Sequence, residues 1–131
     1  MKPCRLLLLA LCIAGVAPAQ AVDLTGGWVI DFANCNKVFS KENGKLAFKP
    51  DADLYAGGLI VDGRRITGTF QKCNVRSVRD DGENMQVVAA CSDGIVVSDV
   101  TFDLTMSGDN KLTLSSKQPT PVEMRYSRCP L

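Results

Sequence analysis

The chain holds six cysteines and no histidine, and these two facts decide most of the chemistry open to it. Without an imidazole there is no His-based triad and no side chain that titrates near neutrality in its ordinary state. Cys35, Cys73, Cys91 and Cys129 include no Cys-x-x-Cys pair, so their spacing supports neither a zinc site nor a redox-active dithiol. Asp80, Asp81 and Glu83 cluster beside Gly82, but the group lacks the length and register of an EF-hand loop and reads as a solvated hairpin tip. Gly26-Gly27 and Gly57-Gly58 lack the Lys-[Ser/Thr] ending and the βαβ setting of a phosphate loop. Asp31, within an apolar run, either points outward or needs a partner such as Arg65 or Arg128. No nucleophile–base pair can be named. The expectation is therefore no enzyme, no catalytic or metal-ligating residue and no cofactor.

The cysteines carry a structural argument instead. Lys2 and Arg5 precede a short apolar run from Leu6 to Val16, and Ala19-Gln20-Ala21 supplies a small-x-small cleavage pattern. Residues 1–21 read as a signal peptide and residues 22–131 as one domain. The apolar run is too short to span a membrane. Cys4 and Cys12 leave with the leader, Leu11 being a poor fit to the small residue that precedes a lipoprotein cysteine. The remaining four cysteines, in an oxidising compartment, predict two disulfides and a periplasmic or secreted location. Two of the three pairings make geometric sense. Cys35–Cys73 with Cys91–Cys129 staples each half; Cys73–Cys91 with Cys35–Cys129 bridges a central hairpin centred on Gly82 and ties the ends. The first is preferred, because nearest-neighbour staples need no assumption about how the fold closes.

These residues must be positioned by short strands. Thr25-Gly26-Gly27-Trp28-Val29-Ile30-Asp31-Phe32 places the only tryptophan at the head of a first strand, with Trp28 in the core. Leu46-Ala47-Phe48, Leu59-Ile60-Val61, Arg65 to Phe70, Cys73 to Arg79, Met85 to Cys91, Ile95 to Met106, Leu112 to Leu114 and Val122 to Tyr126 follow as strands. Asn43-Gly44, Asp62-Gly63, Asp81-Gly82 and Asp93-Gly94 supply turns. Ile66, Gly68 and Phe70 are placed on one face. Val100, Phe102, Leu104 and Met106 alternate with Thr101, Asp103 and Thr105, the pattern of a half-buried strand. Seven to nine short strands with no convincing helix predict an all-β fold, a small antiparallel up-and-down barrel in preference to a sandwich, because most strands can pair with sequence neighbours and closure removes the edges.

Three stretches carry a resemblance. Gly26-Gly27-Trp28 fits the Gly-x-Trp opening of lipocalin-like and avidin-like barrels. Ile66-Thr67-Gly68-Thr69-Phe70 looks like an internal strand of the avidin type. Tyr126-Ser127-Arg128-Cys129 is similar to the closing strand of small secreted bacterial proteins that begin with a Gly-x-Trp strand. In lipocalins a late arginine packs across the first-strand tryptophan, a structural role the resemblance gives to Arg128 or Arg125 against Trp28. The chain departs from the family in having a single tryptophan, so a biotin site is not implied, and in being short for a full lipocalin.

Charge excludes other partners. Removing Lys2 and Arg5 from 15 basic residues leaves one fewer than the 14 acidic ones, so no field or basic tail for nucleic acid is present. Lys37, Lys41, Lys45 and Lys49 form one basic run that reads as a solvated edge. The expected function is a non-enzymatic binding or inhibitor-type domain, the kind of role found among small secreted barrels of this look, with an envelope or secreted protein as partner. Leu54 and Tyr55, beside Gly57-Gly58, are the candidate partner-binding rim. A carrier of a small, lipid-like molecule in the barrel interior is the alternative, and a structural envelope protein the next.

Overall fold

The computed structural model describes residues 14–15, 23–117 and 121–131. The cleavage site after Ala21, most of the leader, and Pro119 lie outside the described residues. Ten strands are formed among the described residues. β1 (Gly26–Val29), β4 (Gly58–Asp62), β5 (Arg65–Gly68), β6 (Lys72–Asp81), β7 (Asn84–Ser92), β8 (Val97–Ser107), β9 (Lys111–Ser116) and β10 (Val122–Arg128) close into a barrel in the order β1-β10-β9-β8-β7-β6-β5-β4. Every pairing is antiparallel, and each strand from β4 to β10 pairs with its sequence neighbour. β1 closes the barrel between β10 and β4, with Trp28 opposite Arg128 on one side and Leu59 on the other. The expected up-and-down barrel is therefore the fold.

Alternation decides which side chains enter the barrel. In β7, Met85, Val87, Ala89 and Cys91 are buried; in β8, Leu104 and Met106 are. With Trp28, Val61, Cys73, Leu112 and Tyr126 they form the interior core. Tyr126 is buried, and its hydroxyl lies 3.3 Å from the Met124 sulfur, a weak acceptor. Burial pushes the Tyr126 phenol above its ordinary value of 10.0. A phenol raised in the folded state contributes stability that is fully present below the unfolded value and is lost as pH rises through the folded one. Chemical denaturation above about pH 10 is therefore expected to show falling stability, with a shallower fall in Tyr126→Phe; equal slopes in parent and variant would remove this residue from the alkaline transition.

The segment between β1 and β4 builds a second, smaller core on the outside of the barrel. It runs through a 3-10 turn at Phe32–Asn34, a single helical turn α1 (Cys35–Val38), the hairpin β2 (Phe39–Glu42) and β3 (Lys45–Phe48), and a 3-10 turn at Ala52–Tyr55. Asn43 and Gly44, with φ of 52° and 77°, make the tight β2–β3 turn. The β2–β3 pair stands apart from the barrel sheet, so of the ten strands among the described residues eight are in the barrel. Phe39 and Phe48 face each other across the hairpin, ring centroids 5.3 Å apart. They pack with Val29, Val38, Ala52 and Ile60. The glycine pairs that open β1 and β4 explain how the hairpin lies so close. A Cβ on Gly27 would stand 2.8 Å from both Leu46 Cδ2 and Phe39 Cε2, and one on Gly58 would run into the Trp28 carbonyl.

The disulfides correct the preferred pairing. Cys35 bonds Cys129 and Cys73 bonds Cys91. Cys73 and Cys91 are direct partners in the β6–β7 ladder, as the centring of that hairpin on Gly82 indicated. Barrel closure brings the end of β10 beside β1, where Cys129 N–H donates to the Gly27 carbonyl at 2.8 Å. Cys129 thereby reaches Cys35 in α1. Closure of the barrel, which nearest-neighbour staples would not need, is what sets this pairing.

Candidate binding surface

Trp28 and Arg128 seal one end of the barrel. Trp28 has no solvent exposure, and its indole N–H donates to the Leu24 carbonyl at 2.9 Å. The Arg128 guanidinium lies 4.4 Å from the indole ring centre, a cation–π stack. Its five donors suit the rest of the seal: Arg128 donates to the carbonyls of Thr25 and Asp23, both at 2.6 Å, and of Asp109 at 3.0 Å. One side chain thus ties the chain entering β1 and the β8–β9 turn over the tryptophan. Arg125, the other candidate of the resemblance, is exposed and 3.5 Å from Glu123. Asp31 is exposed and caps the first 3-10 turn by accepting from Ala33 N–H at 3.0 Å.

Leu54 and Tyr55 are separated by their turn. Ala52, 1% exposed, roots it in the second core. Ala56 and Gly57 end it at φ of 63° and 60°. Leu54 projects outward at 76% exposure. Tyr55 is half-buried against the second core, with the Lys37 ammonium 5.1 Å from its ring centre. The pair therefore presents one exposed side chain and one packed against the second core.

Side chains of the core project into the barrel interior. Two depressions lie on the outside and open to solvent. A groove of about 1080 Å³ runs between the β2–β3 hairpin and the barrel, over Leu46, Phe48 and Ile60, with Lys41, Lys45 and Arg65 along it. A cleft of about 360 Å³ lies over β6–β8 near Arg79, Asp81 and Asp103. Among the described residues no group of three or more Cys, Asp or Glu could hold a metal ion, and Asp80, Asp81 and Glu83 are exposed. Among them, too, no helix is long and apolar enough to cross a membrane. In comparisons with family models, curated proteins and solved structures, none matches this chain.

The exposed apolar residues were misplaced by the sequence pattern. Phe70 is 76% exposed, and Ile95, Val96 and Val97 are 93%, 60% and 71% exposed. The strand expected from Arg65 to Phe70 ends at Gly68, whose N–H bonds the Gln71 carbonyl at 2.7 Å. That turn throws Phe70 out of the face it was to share with Ile66. β8 begins at Val97, so Ile95 and Val96 belong to the β7–β8 connection. A signal was present: three consecutive apolar residues directly after Asp93-Gly94 do not alternate, as a half-buried strand would.

Proposed function

We propose that the mature chain is a non-enzymatic binding domain of the periplasm or the secreted space, of inhibitor type, with an envelope or secreted protein as partner. In this reading it resembles the lipocalin-like and avidin-like barrels in its Gly-x-Trp opening but works through a loop rim and not through its interior. The observation that carries it is Leu54, 76% exposed on a turn whose neighbouring residue Ala52 is buried. A large apolar side chain held outward on an anchored turn is the form an interface anchor takes. Two disulfides support an oxidising compartment. The buried side chains that project into the barrel support ranking the carrier reading second.

The test is affinity capture with exported, disulfide-intact protein, followed by a dissociation constant for the identified partner in purified form. Leu54→Ser is expected to weaken that affinity by roughly tenfold or more while leaving the melting temperature within about two degrees. Tyr55→Ser is expected to lower both, because its ring supports the second core. An unchanged affinity in both variants removes this rim from the interface. A small molecule retained through purification, with no protein captured, reverses the order of the two readings.

A further inference from the structure

The β5–β6 and β7–β8 connections open on the same rim of the barrel. Thr67 pairs with Lys72, Lys72 with Ser92, and Ser92 with Val97. Phe70 therefore stands on the loop beside the one that carries Ile95, Val96 and Val97. One residue inward, the Cys73–Cys91 disulfide joins the feet of both loops. The apolar side chains thus sit on a tip whose base is covalently fixed.

The backbone of the tip is closed on itself. Gly94 N–H donates to Ser92 Oγ at 3.1 Å, and Ile95 and Val96 N–H both donate to Asp93 Oδ1 at 2.9 Å. Asp93 N–H reaches the Val96 carbonyl at 3.4 Å. These backbone bonds hold the Asp93 carboxyl below its ordinary range. All four N–H donors from Asp93 to Val96 are thus satisfied within the turn, while the side chains of Ile95 and Val96 point away from it. Such a tip can leave water without abandoning a backbone donor, the condition for entering a medium that offers no hydrogen bonds.

We propose that Phe70, Ile95, Val96 and Val97 form a membrane-contacting tip that inserts shallowly into the interfacial region of an anionic phospholipid bilayer, lying on the membrane and not crossing it. Three features favour lipid over a protein pocket. The N–H donors of the Asp93–Val96 turn are used within it and are not free to pair with a partner chain. Its apolar atoms are spread over two loops, which suits a broad fluid interface better than a single cleft. Lys72 is exposed at the foot of both loops, at the depth where an ammonium meets headgroup phosphates when the tips enter the acyl boundary. Of the acids nearby, Asp93 is held ionised by the tip amides and so stays among the headgroups, and Asp99 lies 3.3 Å from Arg76.

The Leu54 turn adjoins the Phe70 loop, Gly58 N–H donating to Thr69 Oγ1 at 3.3 Å, so the experiment reads position 95, on the other loop, directly. Exported protein is mixed with vesicles of palmitoyl-oleoyl phosphatidylglycerol and phosphatidylethanolamine. In Ile95→Trp, the introduced indole is expected to shift to the blue and to be quenched by lipids brominated on the acyl chain. Trp28 is fully buried and contributes a constant background. A retained leader would not produce a signal local to position 95. Replacing Phe70, Ile95 and Val96 together by Ser is expected to lower vesicle partitioning by roughly tenfold or more, since each removes an exposed apolar side chain, with the melting temperature unchanged. Lys72→Gln is expected to lower it by roughly fivefold. An introduced indole that brominated lipid leaves unquenched, or partitioning unchanged by the triple substitution, overturns the proposal. If the indole ignores vesicles but is shielded from an aqueous quencher by a purified envelope protein, the tip serves a protein pocket and the lipid assignment falls.

Discussion

Trp28→Ala is expected to cost about 3–5 kcal/mol, the range for removing a large buried aromatic. The side chain is wholly buried in the barrel core. Its loss removes contacts to the interior, the indole bond to Leu24 and the surface on which Arg128 stacks. The cavity cannot be filled cheaply from β4, because Gly58 already lies against the Trp28 backbone and the hairpin packs on Gly27. A domain of this size holds on the order of 5–15 kcal/mol in all. Urea denaturation should therefore show a midpoint displaced far toward water, with an unchanged slope if the transition remains two-state. The melting temperature should fall by more than about ten degrees. A variant melting within about two degrees of the parent would mean that the indole contributes nothing to the closed end, and the sealing roles of Trp28 and Arg128 would fail together.

The barrel was legible because its information is local. Alternation along β7 and β8 names the inward residues, and Asp-Gly or Asn-Gly turns punctuate the strands. Trp28 could be assigned to the core from its size and its place beside two glycines. What was not legible depends on distances along the chain that no local pattern carries. Cys129 meets Cys35 only because β10 returns beside β1, a consequence of closure. The β2–β3 hairpin was half visible: Asn43-Gly44 announced the turn, but Ser40, Lys41 and Glu42 gave its first strand no apolar alternation. Its stability comes from Phe39 and Phe48 packing onto the outside of β1 and β4. The candidate surfaces were harder still, because exposure of an apolar residue is set by where a strand stops. Phe70 and Ile95 carry strand-forming side chains, and the turns at Gly68–Gln71 and Asp93–Val96 overrule that preference with specific hydrogen bonds. Leu54 was legible as an exposed side chain, whereas the packing of Tyr55 under Lys37 followed from an outer core that the sequence pattern did not reveal.

The two disulfides are expected to contribute unequally. Cys35–Cys129 spans a sequence separation of 94 residues and Cys73–Cys91 one of 18. If the crosslinks act chiefly by restricting the unfolded chain, the longer loop is worth about 4–5 kcal/mol and the shorter about 3. Packing widens the difference in the same direction. Cys73 and Cys91 are already opposed by a ladder that holds β6 to β7 on both sides of them, so their hairpin keeps its pairing without the bond. Cys35 and Cys129 connect α1 to the end of β10 inside the smaller core. Without that bond, the whole segment between β1 and β4 is attached to β10 only through side-chain packing and the strands at its two ends. Cys35→Ser with Cys129→Ser should therefore lower the denaturation midpoint more than Cys73→Ser with Cys91→Ser, while both retain a β-type far-ultraviolet spectrum at low temperature. Amide exchange should locate the added opening in residues 32–55 for the first variant and near the β6–β7 pairing for the second. The opposite order of midpoints would show that residual structure in the unfolded chain, or strain relieved on cutting the long crosslink, outweighs loop entropy. Protection retained across residues 32–55 after loss of Cys35–Cys129 would show that Phe39, Phe48 and Val38 hold the outer core without the bond.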